Sequence, residues 1–270
     1  MNPFFSIIIP VYNSQKYFKI CLDSVLRQNF NNYEILIIND ASRDGSKKIC
    51  NDFQKISSKI RIIENKKNLG VSISRNKGIK NATGKYILFL DSDDILLSGS
   101  LKKLYQHILL KKSNIVALDH NELKNNYKGS VKRESESKGF FKKKTFSKNK
   151  IQLINLVENF KLFNPLCYSF SINRNFILKN KIFFENIRMH EDHLFVSKLF
   201  YSREKASYPE IVTHSRRSTS LESLGRTVGY EVCISSAKNL FFYLKDYKKT
   251  NLKIIEKKSI FGNLKFFTKK

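Results

Sequence analysis

Four short apolar segments, each followed by a helix-like stretch, dominate the first hundred residues. The apolar segments are FFSIIIPVY, YEILIIND, KIRIIEN and KYILFLDSDD. Between them apolar residues recur at helical spacing, as Phe18, Cys21 and Val25 do after the first segment. Strands that alternate with helices of about 10–15 residues indicate β-α-β units and a parallel sheet. Because these strands are apolar on both faces, we expect helices to cover both faces of the sheet.

The second part of the chain has a less regular pattern, and it contains no internal repeat and no Pro/Gly linker. The simplest interpretation is one domain with an elaborated second half. The elements predicted there are a helix over 100–112, a strand at NIVALDH, an exposed Lys-rich loop or hairpin over 121–150, a helix at IQLINLVENF, a strand at PLCYSFSI, a helix that begins within MHEDHLFVSKLF, and a helix over 226–247.

The net charge of +27 is unevenly distributed, and most of it belongs to residues 101–270. Such a surface attracts polyanions, either nucleic acid or an anionic membrane. The tail from Lys245 to Lys270 interleaves lysines with isoleucine and phenylalanine, which is typical of a basic amphipathic helix that lies on a membrane. An ordinary exposed helix from a Lys-rich proteome is the alternative. No apolar run approaches the roughly 18 residues that span a bilayer, and the N-terminus does not resemble a signal peptide.

The four cysteines form no C-x-x-C pair and lie near no histidine cluster, so we expect free thiols in a reducing cytosol. A zinc site or a disulfide framework is not predicted.

Polar side chains follow three of the predicted strands at the point where each strand ends. They are Tyr12 with Asn13, Asn39 with Asp40, and the segment from Asp91 to Asp94. Ligands of open parallel sheets bind outside the carboxyl ends of the strands, so these segments are expected to converge on one site. The alternative is that Asp and Asn simply end the strands as turn-forming residues.

Three carboxylates within four positions, at Asp91, Asp93 and Asp94, repel one another. A hard divalent cation relieves that repulsion, and carboxylate oxygens are ligands that Mg²⁺ and Mn²⁺ prefer. A cation held by few carboxylates usually also bridges phosphates, so a nucleotide ligand is expected. The chain has no G-x-G-x-x-G after the first strand, no G-x-x-x-x-G-K-[ST] and no G-x-S-x-G. Dinucleotide-binding, P-loop and α/β-hydrolase sites are therefore disfavoured.

The segments SIIIPVYN, YEILIINDASRDGS, NLGVSISRNKGIKNATGKYILFLDSDD and MHEDHLF resemble the inverting family 2 glycosyltransferases of the GT-A fold. The resemblance is close over residues 4–98 and continues loosely to about residue 222. It implies an α/β fold with a mostly parallel central sheet, helices on both faces, an elaborated C-terminal acceptor half and a basic helical tail. The implied division is a GT-A domain over 1–222, with a nucleotide-sugar-binding half (1–98) and an acceptor half (99–222), and a helical basic extension over 223–270.

The same resemblance assigns nucleotide contacts by position. Pro10, Val11 and Tyr12 match the segment that lines the uridine. Asp40 matches the acid that hydrogen-bonds the uracil, and Arg75 matches a basic residue of the nucleotide pocket.

The segment from Asp91 to Asp93 matches the D-x-D motif of that family, and the match implies that Asp91 and Ser92 face the ribose and diphosphate. Asp93 is the expected main ligand of Mn²⁺ or Mg²⁺, with Asp91 as a second ligand. Asp94 is expected to cap the next segment instead of touching the metal. The family often has two acids after the second strand, and here the first of them is Asn39, which leaves the uracil contact to Asp40.

An acid pair at Glu191 and Asp192 precedes an apolar helical face. Asp192 lies on the same face as Phe195 and Leu199 and is expected to point inward, whereas Glu191 is expected to be turned away. The pair resembles the "ED" motif of the family, whose Asp takes the proton of the acceptor hydroxyl. A simple helix N-cap is the alternative for Asp192.

The stretch VTHSRRSTS resembles the last motif of the family, which closes over the diphosphate. His214, Arg216 and Arg217, together with Glu191, are candidate contacts of the diphosphate or the acceptor, because arginines can hold phosphate oxygens with two hydrogen bonds. A solvated basic loop is the alternative, and His214 could equally be structural.

Together with the acidic strand end, the resemblance implies a metal-dependent, inverting hexosyltransferase. It uses a UDP-sugar and a glycan or lipid-linked glycan acceptor, in lipooligosaccharide, capsule or related synthesis. The expected place is the cytoplasm, with the basic tail on the inner face of the membrane. A basic nucleic-acid-binding α/β protein is the alternative, but the acidic sheet edge opposes it and no nucleic-acid partner is expected. A sugar-nucleotide pyrophosphorylase would need a Gly-rich basic loop after the first strand, which is missing.

Overall fold

A computed structural model describes residues 2–123, 151–152, 166–187, 191–202, 204–209 and 211–217. The Lys-rich stretch beyond Leu123, the predicted helix over 226–247 and the basic extension over 223–270 lie outside these ranges.

The described residues form strands and helices in the alternating order that the sequence predicts for the first hundred residues. The strands are β1 (Phe5–Val11), β2 (Tyr33–Asn39), β3 (Ile60–Glu64), β4 (Tyr86–Phe89), β5 (Ile95–Leu96), β6 (Ile115–Ala117), β7 (Asp119–Leu123), β8 (Ile151–Gln152), β9 (Phe170–Asn173), β10 (Lys205–Ser207) and β11 (Val212–Arg217). The helices are α1 (Gln15–Leu26), α2 (Ser46–Ile56), α3 (Val71–Asn81), α4 (Ser100–Lys111), α5 (Arg174–Lys179) and α6 (Glu191–Tyr201), with a 3-10 turn at Cys167–Ser169.

The described strands make two sheets. An eight-stranded sheet has the order β3-β2-β1-β4-β9-β6-β10-β8, and a three-stranded sheet has the order β5-β11-β7. The neighbours β3, β2, β1 and β4 are all parallel, whereas β9 runs antiparallel to β4 and β6. The predicted α/β fold with a mostly parallel central sheet is therefore confirmed.

Helices cover both faces of the large sheet, as the strand composition predicts. Successive residues of β1 alternate between the faces: Ile7 and Ile9 belong to the core beneath α1, α2 and α4, and Ile8 belongs to the core beneath α3, α5 and α6. Both cores are closed to solvent, since these three isoleucines are at most 1% exposed. The sheet is thus a rigid platform whose carboxyl edge carries the polar segments.

Helix α3 approaches the sheet unusually closely. A Cβ atom added at Gly78 would lie 2.4 Å from Cγ2 of Ile8, which no side chain can do without displacing its neighbour. Glycine therefore lets the helix backbone rest directly on β1. This contact lies one helical turn after Arg75 and fixes the height of that arginine above the sheet.

Three local predictions were wrong, each because tertiary pairing overrides the local pattern. The stretch NIVALDH divides at Leu118 into β6 and β7, which belong to different sheets. Residues Ile151–Gln152, predicted as the start of a helix, form β8 and pair with β10. The strand predicted at PLCYSFSI begins only at Phe170, after the 3-10 turn.

Within the part of the chain that the structure describes, no helix is both long and apolar enough to cross a membrane.

Candidate active site at the carboxyl edge of the sheet

The three polar strand ends lie side by side. β1 pairs with β2 on one side and with β4 on the other, and all three strands are parallel, so their carboxyl ends lie at the same edge of the sheet. Pairing continues past the strands, because the backbone N–H of Asp40 donates to Val11 at 2.8 Å and that of Leu90 donates to Ile8 at 3.1 Å. The structure therefore brings together segments that lie about 30 and 50 residues apart in sequence.

Polar side chains fasten the loop after β1 to its neighbours. The hydroxyls of Ser14 and Ser92 are 2.7 Å apart, and the backbone N–H of Ser14 donates to the Ser46 hydroxyl at 2.8 Å. Before this loop, Pro10 is half-buried, Val11 is buried and Tyr12 is 44% exposed. Tyr12 is thus the predicted uridine contact whose side chain is most accessible to a ligand.

Asp40 is buried and all of its described hydrogen bonds are internal. Its carboxylate accepts hydrogen bonds from the Asn65 side chain at 2.7 Å and from the backbone N–H groups of Leu69 and Gly70 at 2.9 and 2.8 Å. The residue therefore fixes the loop that leads into α3. Its contact with uracil remains a prediction.

Arg75 joins the acids of the sheet edge to the acid pair at the start of α6. Its Nη1 atom donates to Glu191 at 2.9 Å and to Asp192 at 2.8 Å, and its Nη2 atom donates to Asp91 at 2.8 Å. The expectation that Glu191 is turned away is wrong. A glutamate in the first turn of the helix is long enough to reach the same guanidinium nitrogen as its neighbour.

Three carboxylates around one guanidinium leave an excess of negative charge in a buried place. Burial, and then the charge of Asp192, raise the pKa of Glu191 to about 7. Burial also raises the pKa of Asp192, because the attraction of Arg75 only partly compensates for it. A raised pKa makes a carboxylate a stronger proton acceptor, which is a property that a general base needs.

The pKa values of the other two acids in the D-x-D segment, Asp93 and Asp94, are also raised. Burial, and then the charge of Asp91, raise the pKa of Asp93 to about 6 and that of Asp94 well above its usual range. Asp94 accepts the backbone N–H of Arg217 at 2.9 Å through one oxygen, and its other oxygen has no partner among the described residues. Asp94 therefore holds β11 in place, and it does not cap the segment after residue 94 as the sequence predicted.

These acids fit a divalent cation that is shared with a ligand. Among the described residues, no three His, Cys, Asp or Glu side chains form a ready-made metal centre. Mg²⁺ commonly binds through one or two carboxylates plus substrate phosphates, and the mutual repulsion of Asp91, Asp93 and Asp94 favours a cation beside them. The candidate ligands are Asp93 and Asp91.

Two arginines of β11 border the acidic segment. The guanidinium of Arg217 lies over the Tyr17 ring, 4.0 Å from its centroid, and its Nε atom donates to the backbone carbonyl of Asp93 at 3.2 Å. Arg216 is half-buried, and its charge lowers the pKa values of Asp93 and Asp94. Both are placed where an anion bound at the sheet edge would meet positive charge.

His214 differs from the neighbouring arginines because it is 2% exposed and packs edge-on against Tyr168. Burial, and then the charge of His120, lower its pKa well below the usual value, so the ring is neutral. The structure therefore places His214 in the interior beneath the acidic segment. Its contact with a diphosphate or an acceptor remains a prediction.

Comparison with known proteins agrees with this arrangement. The profile of Glycosyl transferase family 2 matches residues 6–175. Glycosyltransferase GlyA of Streptococcus pneumoniae is 39% identical over 110 residues, 41% of this chain and 16% of that protein. The minor teichoic acid biosynthesis protein GgaA of Bacillus subtilis is 30% identical over 209 residues, 74% of this chain and 44% of that protein. The chain thus spans less than half the length of these curated relatives.

A solved structure has the same fold. Staphylococcus aureus TarS 1–349 in complex with UDP-GlcNAc superimposes with a TM-score of 0.68 at 22% identity, covering 87% of this chain and 66% of that TarS 1–349 chain. At that identity the likeness concerns the fold, a GT-A-like one. The family profile covers well over half of the sequence and includes all three strand ends of the site. The chain belongs to glycosyl transferase family 2.

Proposed function

We propose that this protein is an inverting glycosyltransferase that moves a sugar from a UDP-sugar to a hydroxyl group of a glycan acceptor. The observation that carries the proposal is the bridge from Asp91 through Arg75 to Asp192. It links an acid of the nucleotide edge to an inward-pointing acid of α6, in a chain of family 2. Single displacement needs a base on the acceptor side of the anomeric carbon and stabilisation of the leaving diphosphate on the other side, and this bridge joins the candidate residues for the two roles.

The donor is proposed to lie across the carboxyl ends of β1, β2 and β4. Tyr12 lines the uridine, Asp91 and Ser92 face the ribose and diphosphate, and Arg216 and Arg217 approach the diphosphate. The UDP-GlcNAc bound by TarS supports a UDP-sugar as donor. A bound Mn²⁺ or Mg²⁺ supplies positive charge to the diphosphate, and Asp93 with Asp91 would hold it.

Asp192 is proposed to act as general base. The acceptor oxygen attacks the anomeric carbon while the bond from that carbon to the diphosphate oxygen breaks, and UDP leaves on the opposite side. The proton of the acceptor hydroxyl passes to the Asp192 carboxylate. The raised pKa of Asp192 supports this role because it strengthens the carboxylate as a proton acceptor.

The acceptor is proposed to be a growing bacterial surface glycan, such as lipooligosaccharide, capsule or a related polysaccharide. The name of GgaA, which refers to teichoic acid, supports a surface polymer. Attachment of the basic tail to an anionic membrane at the cytoplasmic face belongs to the same proposal, and the tail lies outside the described residues. The division into halves at residue 98 and an extension from 223 likewise remains a proposal.

Hydrolysis of a panel of UDP-sugars with Mn²⁺ tests the proposal without knowledge of the acceptor. The wild type should release UDP from at least one donor, and Asp93→Asn should lose that release. Once an acceptor is found, Asp192→Asn should lower transfer by about 10²–10⁴-fold, the contribution typical of a general base. Asp52→Asn, which changes an exposed acid of α2, is the matched control and should keep full activity. Full transfer by Asp192→Asn would refute the assignment of the base.

A further inference from the structure

The face of helix α3 that looks toward the second half of the chain is polar. The Ser72 hydroxyl donates to the carbonyl of Ile187 at 3.2 Å. The side chain of Asn76 donates to the carbonyl of Phe184 at 2.8 Å and accepts the backbone N–H of Phe184 at 2.9 Å. These three hydrogen bonds dock residues 182–187 onto α3, shortly before α6 begins at Glu191.

Arg75 lies between Ser72 and Asn76 on this face, and its side chain is 4% exposed. Its guanidinium carbon is 5.3 Å from the centroid of the Phe184 ring. The docked segment thus packs against the guanidinium, and the ion pairs of Arg75 with Glu191 and Asp192 extend these contacts of α3 to α6. One helix therefore sets the position of the acid pair relative to the sheet.

The hydrogen-bonding capacity of Arg75 is directed at carboxylates. Both hydrogens of Nη1 are used, one by Glu191 and one by Asp192, and Nη2 binds Asp91. The Nε atom is buried and has no hydrogen-bond partner among the described residues. Three of its five N–H groups are thus used by carboxylates, and with almost no exposed surface the guanidinium is poorly placed to bind a nucleotide base or ribose.

We infer that Arg75 is a positioning residue for Asp192 and not a nucleotide ligand. This inference rests on the proposed function, because it concerns how the proposed base is held. The planar fork of an arginine can hold Asp91, Glu191 and Asp192 in one geometry, which sets the distance between the donor side and the base side of the site. A lysine keeps the charge but cannot reproduce that geometry, since its ammonium is a single point.

The test compares Arg75→Lys with the wild type by two measurements, UDP affinity from calorimetry and turnover at saturating donor. A displaced base should lower turnover roughly 100-fold, because small misplacements of a catalytic group have effects of that size. UDP affinity should change less than about threefold, since Arg75 makes no contact with the nucleotide and the backbone around Asp91 is held by the hydrogen bonds of Leu90 to Ile8 and of Asp94 to Asp91, which the variant keeps. Lys80→Met removes an exposed positive charge from the same helix and should leave both values unchanged.

A loss of UDP affinity in Arg75→Lys, or unchanged turnover, would overturn the inference. If Arg75→Lys does not fold, the charge-balanced pair Arg75→Gln with Glu191→Gln takes its place under the same criteria. Failure of the proposed function has a different signature: the wild type itself would neither bind UDP nor turn over any UDP-sugar, and the inference would fall with it.

Discussion

The hydroxyl groups of Ser14 and Ser92 are 2.7 Å apart and join the loop after β1 to the acidic segment after β4. The two residues are separated by 78 positions in sequence, and each belongs to a loop that borders the proposed nucleotide site. Their hydrogen bond therefore holds the site in shape before a ligand arrives, which reduces the ordering that binding requires.

Replacing Ser92 with alanine should loosen this junction without unfolding the protein. We expect a loss of about 0.5–1.5 kcal/mol, the usual net contribution of one hydrogen bond, and a weakening of UDP affinity of similar size. Thermal unfolding and UDP titration measure the two effects. Ser98→Ala changes an exposed serine a few residues away and should alter neither. Unchanged UDP affinity in Ser92→Ala would show that the junction plays no part in binding.

Replacing Gly78 with alanine should destabilise the fold by about 1–3 kcal/mol, the range for overpacking a tight core. The added Cβ would lie 2.4 Å from Cγ2 of Ile8, so either α3 or the isoleucine has to move. Urea unfolding of Gly78→Ala, Ile8→Ala and the double variant gives the coupling between the two sites. The double variant should be more stable than the sum of the single effects predicts. Strict additivity would mean that the clash is relieved elsewhere.

Replacing Glu34 with glutamine should remove a pH-dependent contribution to stability. Burial alone would raise the pKa of Glu34, but hydrogen bonds from Ser6, Thr83 and Arg61 outweigh it and lower the pKa. A carboxyl group with a lowered pKa stabilises the fold above its unfolded pKa of about 4.3 and loses that contribution as the pH falls through its folded pKa.

Urea unfolding at pH 7 and at pH 3 measures the Glu34 effect. The wild type should exceed Glu34→Gln in stability at pH 7, and the difference should shrink at pH 3. An equal difference at both pH values would contradict the prediction. Glu64→Gln, at a more exposed glutamate of β3, is the control.

Turnover should fall as the pH drops through about 7, where the Glu191 and Asp192 pair gains a proton. Burial and the charge of Asp192 raise the pKa of Glu191 to that value, and because the two acids titrate as a pair, the proton gained on the acid side is shared with Asp192 and weakens the proposed base. Glu191→Gln removes one negative charge from the pair and should move the acid limb of the pH–rate profile to lower pH. An acid limb that stays at the same pH would show that Glu191 is not coupled to the base.

The sequence predicts the platform of this fold well because the relevant signals are local. Continuous apolar strands and apolar residues at helical spacing in the first hundred residues indicate the parallel sheet, and the polar residues that end β1, β2 and β4 mark its binding edge. The joining of Arg75 to Glu191 is not visible in this way, since 116 positions separate them and no periodicity reports a charge pair across that distance. Arg75 lies on the buried face of α3, where the other buried residues are small or apolar. A buried arginine in such a place is the signal that indicates a distant acidic partner.

Elements that depend on tertiary pairing are predicted least well. The sequence predicts one strand across β6 and β7 because Leu118, where the chain passes between the sheets, continues the apolar run of β6. Residues Ile151–Gln152 form a strand only because β10 offers them an edge.

The polar contacts that α3 makes with residues 184–192 limit which chimeras of family members can fold with an intact site. A chimera that joins residues 1–98 of this chain to the acceptor half of a relative takes Arg75 from one parent and both of its α6 partners from the other. The contacts of Ser72 and Asn76 with the backbone of residues 184–187 tolerate many sequences, whereas the spacing of the acid pair from that backbone does not. Grafts intended to change acceptor preference should therefore preserve the length of the segment from Phe184 to Asp192 and leave α3 intact.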